Sequence, residues 1–247
     1  MGAMTRHDER GMIPLYHQLR RMIQDKIENE ELKPGDRLPS EREIAEEYGI
    51  SRMTVRQGIT ELVRMGLLYR KQGKGTFVAE PKIEQGMVNL TSFTEDMTRR
   101  GLVPGARVLD VRCIQATKKM ASVLKLGVDR RVIRIERLRL ANGEPMALET
   151  SHVPHEVAPS LANEDLNAQS LYVLLETRFG VRLATARQTI EPVLANEYEA
   201  SLLGVEQGSP LLLIERVTFT TSGEPVEFAK AVYRGDRYKF YVDLVRH

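Results

Sequence analysis

The sequence predicts an α+β protein of two domains, and three observations carry that prediction. Two short capped helices joined by a glycine, then a glycine-tipped hairpin, fill residues 40–79. An internal repeat of helix end, strand, turn and strand occupies much of the chain beyond residue 120. At 247 residues the chain is long enough for two separate hydrophobic cores.

The first domain is read over residues 12–79. Leu15, Leu19, Met22, Ile23 and Ile27 lie on one face of a first helix. Ser40 and Glu43 have the spacing of a capping box, so a second helix starts there, with Ile44, Ala45 and Tyr48 on its apolar face. Gly49 suits the left-handed residue that ends a helix, and Ser51 caps a third. Val55, Ile59, Leu62 and Val63 form the apolar stripe of that third helix. Gly58 is unexpected there, because glycine costs about 1 kcal/mol in a helix interior; a closely packed neighbour is the expected reason. Residues 66–79 then read as a hairpin, with Leu67, Leu68, Phe77 and Val78 as its apolar positions and Gln72, Gly73 and Lys74 at its tip.

The residues left off the third helix's stripe carry the chemistry. Arg52, Thr54, Arg56 and Gln57 are types that contact phosphates and base edges, arginine suiting guanine and glutamine suiting adenine. From Ser51 to Thr76 the bases are Arg52, Arg56, Arg64, Arg70, Lys71 and Lys74, against the single acid Glu61. With a net charge of only +2 for the whole chain, any nucleic-acid footprint has to be local, and this is where it falls.

Residues 80–90, with Pro81, Gln85 and Gly86, read as a linker, and residues 91–245 as the second domain. Leu126-Gly-Val-Asp, Ile135-Glu-Arg and Gly143-Glu-Pro are echoed by Leu203-Gly-Val-Glu, Ile214-Glu-Arg and Gly223-Glu-Pro. Asn142-Gly143 and Ser222-Gly223 mark hairpin turns. Two such units predict one antiparallel sheet with pseudo-twofold symmetry and a concave pocket where the halves meet. Arg137 and Arg139, two apart on a strand, point to one face. Two guanidinium groups there need either an anion, which phosphate supplies with bidentate bonds, or ion pairs with Glu149 or Glu227. Ser92 and Glu95 form a second capping box, which leaves the backbone N–H groups of Phe93 and Thr94 available to an anion. Glu149, Glu227 and Tyr233 would then meet sugar hydroxyls.

Several classes are excluded. The lone cysteine, Cys113, cannot form an intramolecular disulfide and fits a reducing cytosol. It sits in an apolar-alternating stretch and is read as a buried structural thiol. No long apolar run and no signal-peptide pattern appear, so the expected location is cytoplasmic, with no membrane partner. His7, His17, His152, His155 and His247 have no metal-ligand spacing, and neither a metal nor a cofactor is expected. A catalytic reading has only arginine, glutamate and tyrosine to draw on, without a Ser-His-Asp or Cys-His constellation.

The run from Leu38-Pro-Ser-Glu-Arg-Glu through Tyr48-Gly-Ile-Ser-Arg-Met-Thr-Val-Arg-Gln57 to Gly73-Lys-Gly-Thr-Phe-Val78 resembles the winged helix-turn-helix of the GntR family of bacterial transcription regulators. Beyond residue 85 the chain resembles the effector domain of the HutC subfamily, which has a chorismate-lyase-like fold. The blocks Leu90-Thr-Ser-Phe-Thr-Glu-Asp-Met97, Arg137-Leu-Arg-Leu-Ala-Asn142, Pro145-Met-Ala-Leu-Glu149 and Ala231-Val-Tyr-Arg-Gly-Asp-Arg-Tyr238 resemble repressors of N-acetylglucosamine utilisation. The resemblance implies a homodimer on double-stranded operator DNA. Arg42, Arg52, Thr54, Arg56, Lys74, Gly75 and Thr76 would touch DNA, with Ser40, Ser51 and Gln57 counted beside them. It implies a phosphorylated amino sugar as effector, either glucosamine 6-phosphate or N-acetylglucosamine 6-phosphate. Ser92, Phe93, Thr94, Arg137, Arg139, Ser170 and Tyr172 would hold the phosphate, and Glu149, Glu227 and Tyr233 the sugar. Other members of the subfamily sense organic acids, other sugars or urocanate-like molecules.

Overall fold

A computed structural model describes residues 13–71, 73–127 and 130–246. Gln72 of the hairpin tip, His7 and His247 lie outside the described residues. The chain divides into two compact units, residues 1–83 with 235–237, and residues 84–234 with 238–247.

In the first unit, helices α1 (Leu15–Glu28), α2 (Glu41–Tyr48) and α3 (Arg52–Arg64) precede a hairpin of β1 (Leu68–Lys71) and β2 (Gly75–Val78). Ser40 caps α2 through a complete capping box, and Ser51 caps α3. The core is Leu19, Ile23, Leu38, Ile44, Val55, Ile59, Leu62, Leu68 and Val78, so every stripe read from the sequence turns inward. The reason for Gly58 is visible. A Cβ there would lie 3.1 Å from the Tyr16 carbonyl oxygen and 3.4 Å from Leu19 Cδ2, so α1 and α3 approach through that position. Gly58→Ala gains about 1 kcal/mol of helix propensity. It also pushes on a backbone atom of a neighbouring helix, and overpacking of that kind costs about 1–3 kcal/mol. The expected net result is a loss of about 1 kcal/mol, read as a lowered first transition in circular-dichroism melting.

In the second unit, β3 (Ile83–Gly86) falls inside the stretch read as a linker. It pairs with β10 (Tyr238–Tyr241) in a two-stranded sheet. The main sheet is built from β4 (Pro104–Gln115), β5 (Arg131–Ala141), β6 (Glu144–Pro154), β7 (Leu183–Leu194), β8 (Pro210–Thr220) and β9 (Pro225–Arg234). Its order is β4-β5-β6-β9-β8-β7, with antiparallel neighbours, so the pseudo-twofold axis runs between β6 and β9. Helices α4 (Phe93–Arg99), α5 (Lys118–Val123), α6 (Leu171–Phe179) and α7 (Glu197–Leu203) complete the unit. The repeat is therefore β4-α5-β5-β6 followed by β7-α7-β8-β9. Asn142 and Gly143 both have positive φ, 50° and 79°, as a two-residue type I′ hairpin turn requires.

Alternation along the strands splits the sheet into two faces. Leu138, Leu148, Leu211 and Val232 pack with Ala200 and Leu203 of α7, and Val132 and Phe228 pack near α5. On the other face Ile133, Ile135 and Val153 pack with Leu171, Leu174 and Leu175 of α6. Cys113 corrects the sequence reading, because it is exposed. β4 is an edge strand, and Cys113 stands opposite buried Ile133 at the rim, where alternation no longer guarantees cover.

Candidate functional site

The first unit carries a candidate nucleic-acid surface. Arg52, Met53, Arg56 and Gln57 are exposed on α3, while Val55, Gly58, Ile59 and Leu62 are buried. Ser51 Oγ accepts from the Thr54 N–H at 3.1 Å and lies 2.8 Å from Thr54 Oγ1. The Ser40 and Glu43 side chains exchange bonds with each other's backbone N–H groups. Ser40 and Ser51 therefore act first as helix caps. Arg56 Nε donates to Glu41 Oε2 at 3.0 Å, and Arg70 Nη2 lies 3.7 Å from Glu41 Oε1. Arg42 pairs loosely with Glu46 at 3.9 Å. Lys74 and Gly75 are exposed at the hairpin end, and Thr76 is half-buried. Met53, 70% exposed, was missed by the sequence reading; an exposed thioether on this face offers apolar contact to a thymine methyl.

In the second unit, alternate residues of four strands floor a pocket: Arg137 and Arg139 of β5, Glu149 of β6, Glu227 and Tyr233 of β9, and Arg216 of β8. Ser92 and Phe93 of the α4 start, and Ser170 and Tyr172 of the α6 start, wall it. Nine of the ten residues read as effector contacts line it, and Thr94, the tenth, accepts a bond from Arg139 Nη2 at 3.1 Å.

The sequence left Arg137 and Arg139 between an anion and an ion pair. The structure shows one ion pair and leftover donors. Arg137 Nη2 donates to Glu149 Oε1 at 2.6 Å. Arg137 Nε and Nη1, Arg139 Nε and Ser170 Oγ are buried without a partner. Both arginines are only 3% exposed, and the Arg139 guanidinium lies 4.7 Å from the Phe93 ring centroid. Unpaired buried donors are costly, and this cluster of positive groups asks for an oxyanion. Ser170 sits at a helix N-cap yet makes no capping bond, which leaves its hydroxyl for the pocket. At α4, the capping box uses the N–H groups of Ser92 and Glu95. The amides of Phe93 and Thr94 lie in the first turn, where a helix supplies no acceptor.

The acids differ in state. Burial raises the Glu149 carboxyl, but Arg137 and Arg139 outweigh that and hold it below its usual range. Burial and the charge of Glu149 push Glu227 up. Glu227 accepts from Ser151 Oγ and from Thr218 Oγ1, both at 2.9 Å, and Thr218 is itself 3.0 Å from the Tyr172 hydroxyl. Burial and Glu149 push Tyr233 up to about 12, so it remains a hydroxyl donor. Asp96, also in the wall, is taken by Arg100 at 3.0 Å.

Glu227→Gln gives a pH prediction. A carboxyl whose folded-state pKa lies above its unfolded value binds its proton more tightly when folded. Its stabilising contribution is full below about pH 4.5 and is lost as pH rises through the raised pKa. Gln mimics the protonated acid and carries no such loss. The variant's melting temperature is expected to exceed the parent's at neutral pH, with the gap closing toward pH 4.5; equal profiles across pH 5–8 would place the proton elsewhere.

Arg216 is the functional residue the sequence reading missed. Its Nε and Nη2 both donate to Gln188 Oε1, at 3.1 and 2.9 Å, and Nη1 donates to the Thr91 carbonyl at 3.3 Å. The signal was in the repeat, where Ile135-Glu-Arg137 is echoed by Ile214-Glu-Arg216.

A helix-turn-helix with exposed arginines, carried on one chain with an anion-seeking pocket, defines a DNA-binding regulator controlled by a small molecule. Residues 15–78 match the bacterial regulatory proteins of the gntR family, and residues 99–239 match the UTRA domain. The chain belongs to the GntR family, HutC subfamily. It is 48% identical over 233 residues to the HTH-type transcriptional repressor NagR of Bacillus subtilis, covering 94% of this chain and 96% of that one. It is 32% identical over 239 residues to the histidine utilization repressor of Pseudomonas putida, covering 97% and 95%. The crystal structure of PhnF from Mycobacterium smegmatis superimposes with a TM-score of 0.65 at 32% identity, over 94% of this chain and 99% of that one. The protein is a transcriptional repressor of this type and not an enzyme. Among the described residues no helix is long and apolar enough to cross a membrane.

Proposed function

We propose that this repressor controls amino-sugar utilisation genes and answers to a phosphorylated amino sugar, glucosamine 6-phosphate or N-acetylglucosamine 6-phosphate. The observation that carries this reading is the set of buried, unpartnered donors on Arg137, Arg139 and Ser170 in one pocket. A phosphate monoester accepts several such bonds and supplies the missing negative charge. Glu149, Glu227 and Tyr233 then present both acceptors and a donor to ring hydroxyls. The similarity to NagR supports the same sugar class. The DNA contacts are Ser40, Arg42, Ser51, Arg52, Thr54, Arg56, Gln57, Lys74, Gly75 and Thr76. The protein acts in the cytoplasm as a homodimer, whose two recognition helices read the halves of a pseudo-palindromic operator.

Effector binding lowers operator affinity because the effector binds the DNA-free form more tightly, and the two ligands are reciprocally linked. Calorimetry with the two phosphosugars and their unphosphorylated parents tests the pocket. Fluorescence anisotropy on a selected operator fragment tests the linkage. Binding of the sugars without need of phosphate, or operator affinity unmoved by either phosphosugar, would sink the reading.

A further inference from the structure

We infer that two copies of this chain meet at the free edge of β7, which pairs antiparallel with its own copy about a twofold axis through Thr189; the inference rests on the homodimer proposed above. The two edges of the main sheet are finished differently. An open edge leaves a row of N–H and C=O groups for another strand to take up, and sheets that stay single blunt such edges. β4, at one edge, is blunted. It begins at Pro104, a bulge shifts its register between Val108 and Asp110, and the Val108 N–H is taken by Asn167 Oδ1 at 2.9 Å. β7, at the other edge, runs for 12 residues, and its register with β8 is unbroken from Thr185 to Leu194. Among the described residues no hydrogen bond from outside the β7–β8 ladder reaches its backbone. Pro192 removes a single N–H from this edge.

β7 is also uncovered on both faces. Thr185, Arg187, Thr189 and Glu191 are exposed on one, and Ala186, Pro192 and Leu194 on the other, with Leu194 at 71%. Arg187 and Glu191 lie four residues apart, about 13 Å along the strand, too far to pair with each other. Among the described residues neither has an ion pair or a side-chain hydrogen bond.

A second copy of the same strand satisfies both charges. Residues directly opposite in an antiparallel pair share a face. With the axis at Thr189, Arg187 stands opposite the partner's Glu191, and Glu191 opposite the partner's Arg187. Ala186 meets the partner's Pro192, and Thr185 meets the partner's Val193. Moving the axis to Gln188 or to Ile190, the adjacent registers that keep the faces matched, sets Arg187 against threonine or valine and loses both charge pairs. The chosen register also reaches toward the effector pocket. Gln188 stands opposite the partner's Ile190, and its Oε1 holds Arg216 of the pocket wall at 2.9 Å. One side chain thus separates the interface from the pocket.

The test uses the full chain in a Cys113→Ser background, because Cys113 is exposed. Thr189→Cys places a thiol on the axis, opposite its own copy, where the facing Cβ atoms are close enough for a disulfide. Mild oxidation is expected to yield a covalent dimer. Glu191→Cys, four residues out of register with its copy, is expected to stay unlinked. Arg187→Glu and Glu191→Arg each set like charges opposite one another twice per dimer, and each is expected to weaken self-association in sedimentation equilibrium by about tenfold or more. The double variant Arg187→Glu/Glu191→Arg is expected to restore it. A dimer indifferent to both single variants, or one that Thr189→Cys does not link, overturns the inference and moves the interface elsewhere on the chain. A parent that sediments as a monomer overturns the homodimer reading, and this inference with it.

Discussion

Arg137→Ala is expected to weaken phosphosugar binding by about 30-fold or more and to destabilise the second unit. The two effects have separate causes. Binding falls because a buried, charge-assisted donor set is removed from the phosphate, a loss of about 2–5 kcal/mol. Stability falls because the Glu149 carboxylate remains in the pocket after its partner has gone. Breaking a buried pair from one side costs about 3–5 kcal/mol, and Glu149, with 16% of its side chain exposed, belongs toward the lower end. The pH dependence separates them further. In the parent, Arg137 and Arg139 hold the Glu149 carboxyl below its usual range. That contribution to stability is present above about pH 4.5 and is lost as pH falls through the depressed value. In Arg137→Ala the burial effect dominates, the carboxyl pKa moves up, and the stability deficit should shrink as the buffer is made acidic.

The double variant Arg137→Ala/Glu149→Gln is the sharper measurement. It removes the orphaned charge, so its melting temperature should recover most of what Arg137→Ala loses, while phosphosugar affinity stays low. Arg139→Ala makes the complementary point. Arg139 bonds to Thr94 and stacks over Phe93, and among the described residues it is in no ion pair with a carboxylate. Its removal should cost affinity with a smaller loss of stability than Arg137→Ala, because Arg139 acts on the Glu149 charge less strongly than Arg137 does. If Arg137→Ala bound phosphosugars as the parent does, the phosphate would have to sit elsewhere in the unit.

Much of this was legible because the relevant rules act over short stretches of chain. The capping boxes at Ser40 and Ser92, the Asn142-Gly143 turn and the stripe of α3 are all set by neighbours within four residues. Arg137 and Arg139 of β5 were placed on one face by period-two spacing, whereas Glu149 of β6 and Glu227 and Tyr233 of β9 followed from the resemblance to the HutC effector domain. What escaped depends on the order of the strands. Cys113 was misread because alternation along β4 does not say that β4 is an edge. The strand β3 was read as linker because its partner, β10, lies about 150 residues later. Arg216 was overlooked although its repeat position was marked, because only the register shows that its cross-strand partner is Ala229 and not an acid.

Arg56→Ala is expected to lower operator affinity by about 1–3 kcal/mol, roughly fivefold to 150-fold, if the side chain reads a base. The geometry explains why its neighbour Glu41 belongs in the same experiment. Glu41 reaches Arg56 at 3.0 Å and Arg70 at 3.7 Å, so one carboxylate on α2 braces two cations on the reading side of the unit. Arg52, at the start of α3, has no such brace among the described ion pairs. Glu41→Gln removes a negative charge that opposes the DNA backbone. It should therefore tighten binding to random-sequence DNA and steepen the salt dependence. The same change frees the Arg56 guanidinium to sample other rotamers, so affinity for the operator should rise less than affinity for random DNA. The ratio of the two falls. Arg56→Ala discriminates further by where its loss appears. A base contact confines the loss to one operator position, whereas a phosphate contact weakens every sequence alike and reduces the salt slope by about one. An Arg56→Ala loss that is uniform across sequences, together with a Glu41→Gln ratio equal to the parent's, would make this pair a matter of charge alone and move base reading to Arg52 and Gln57.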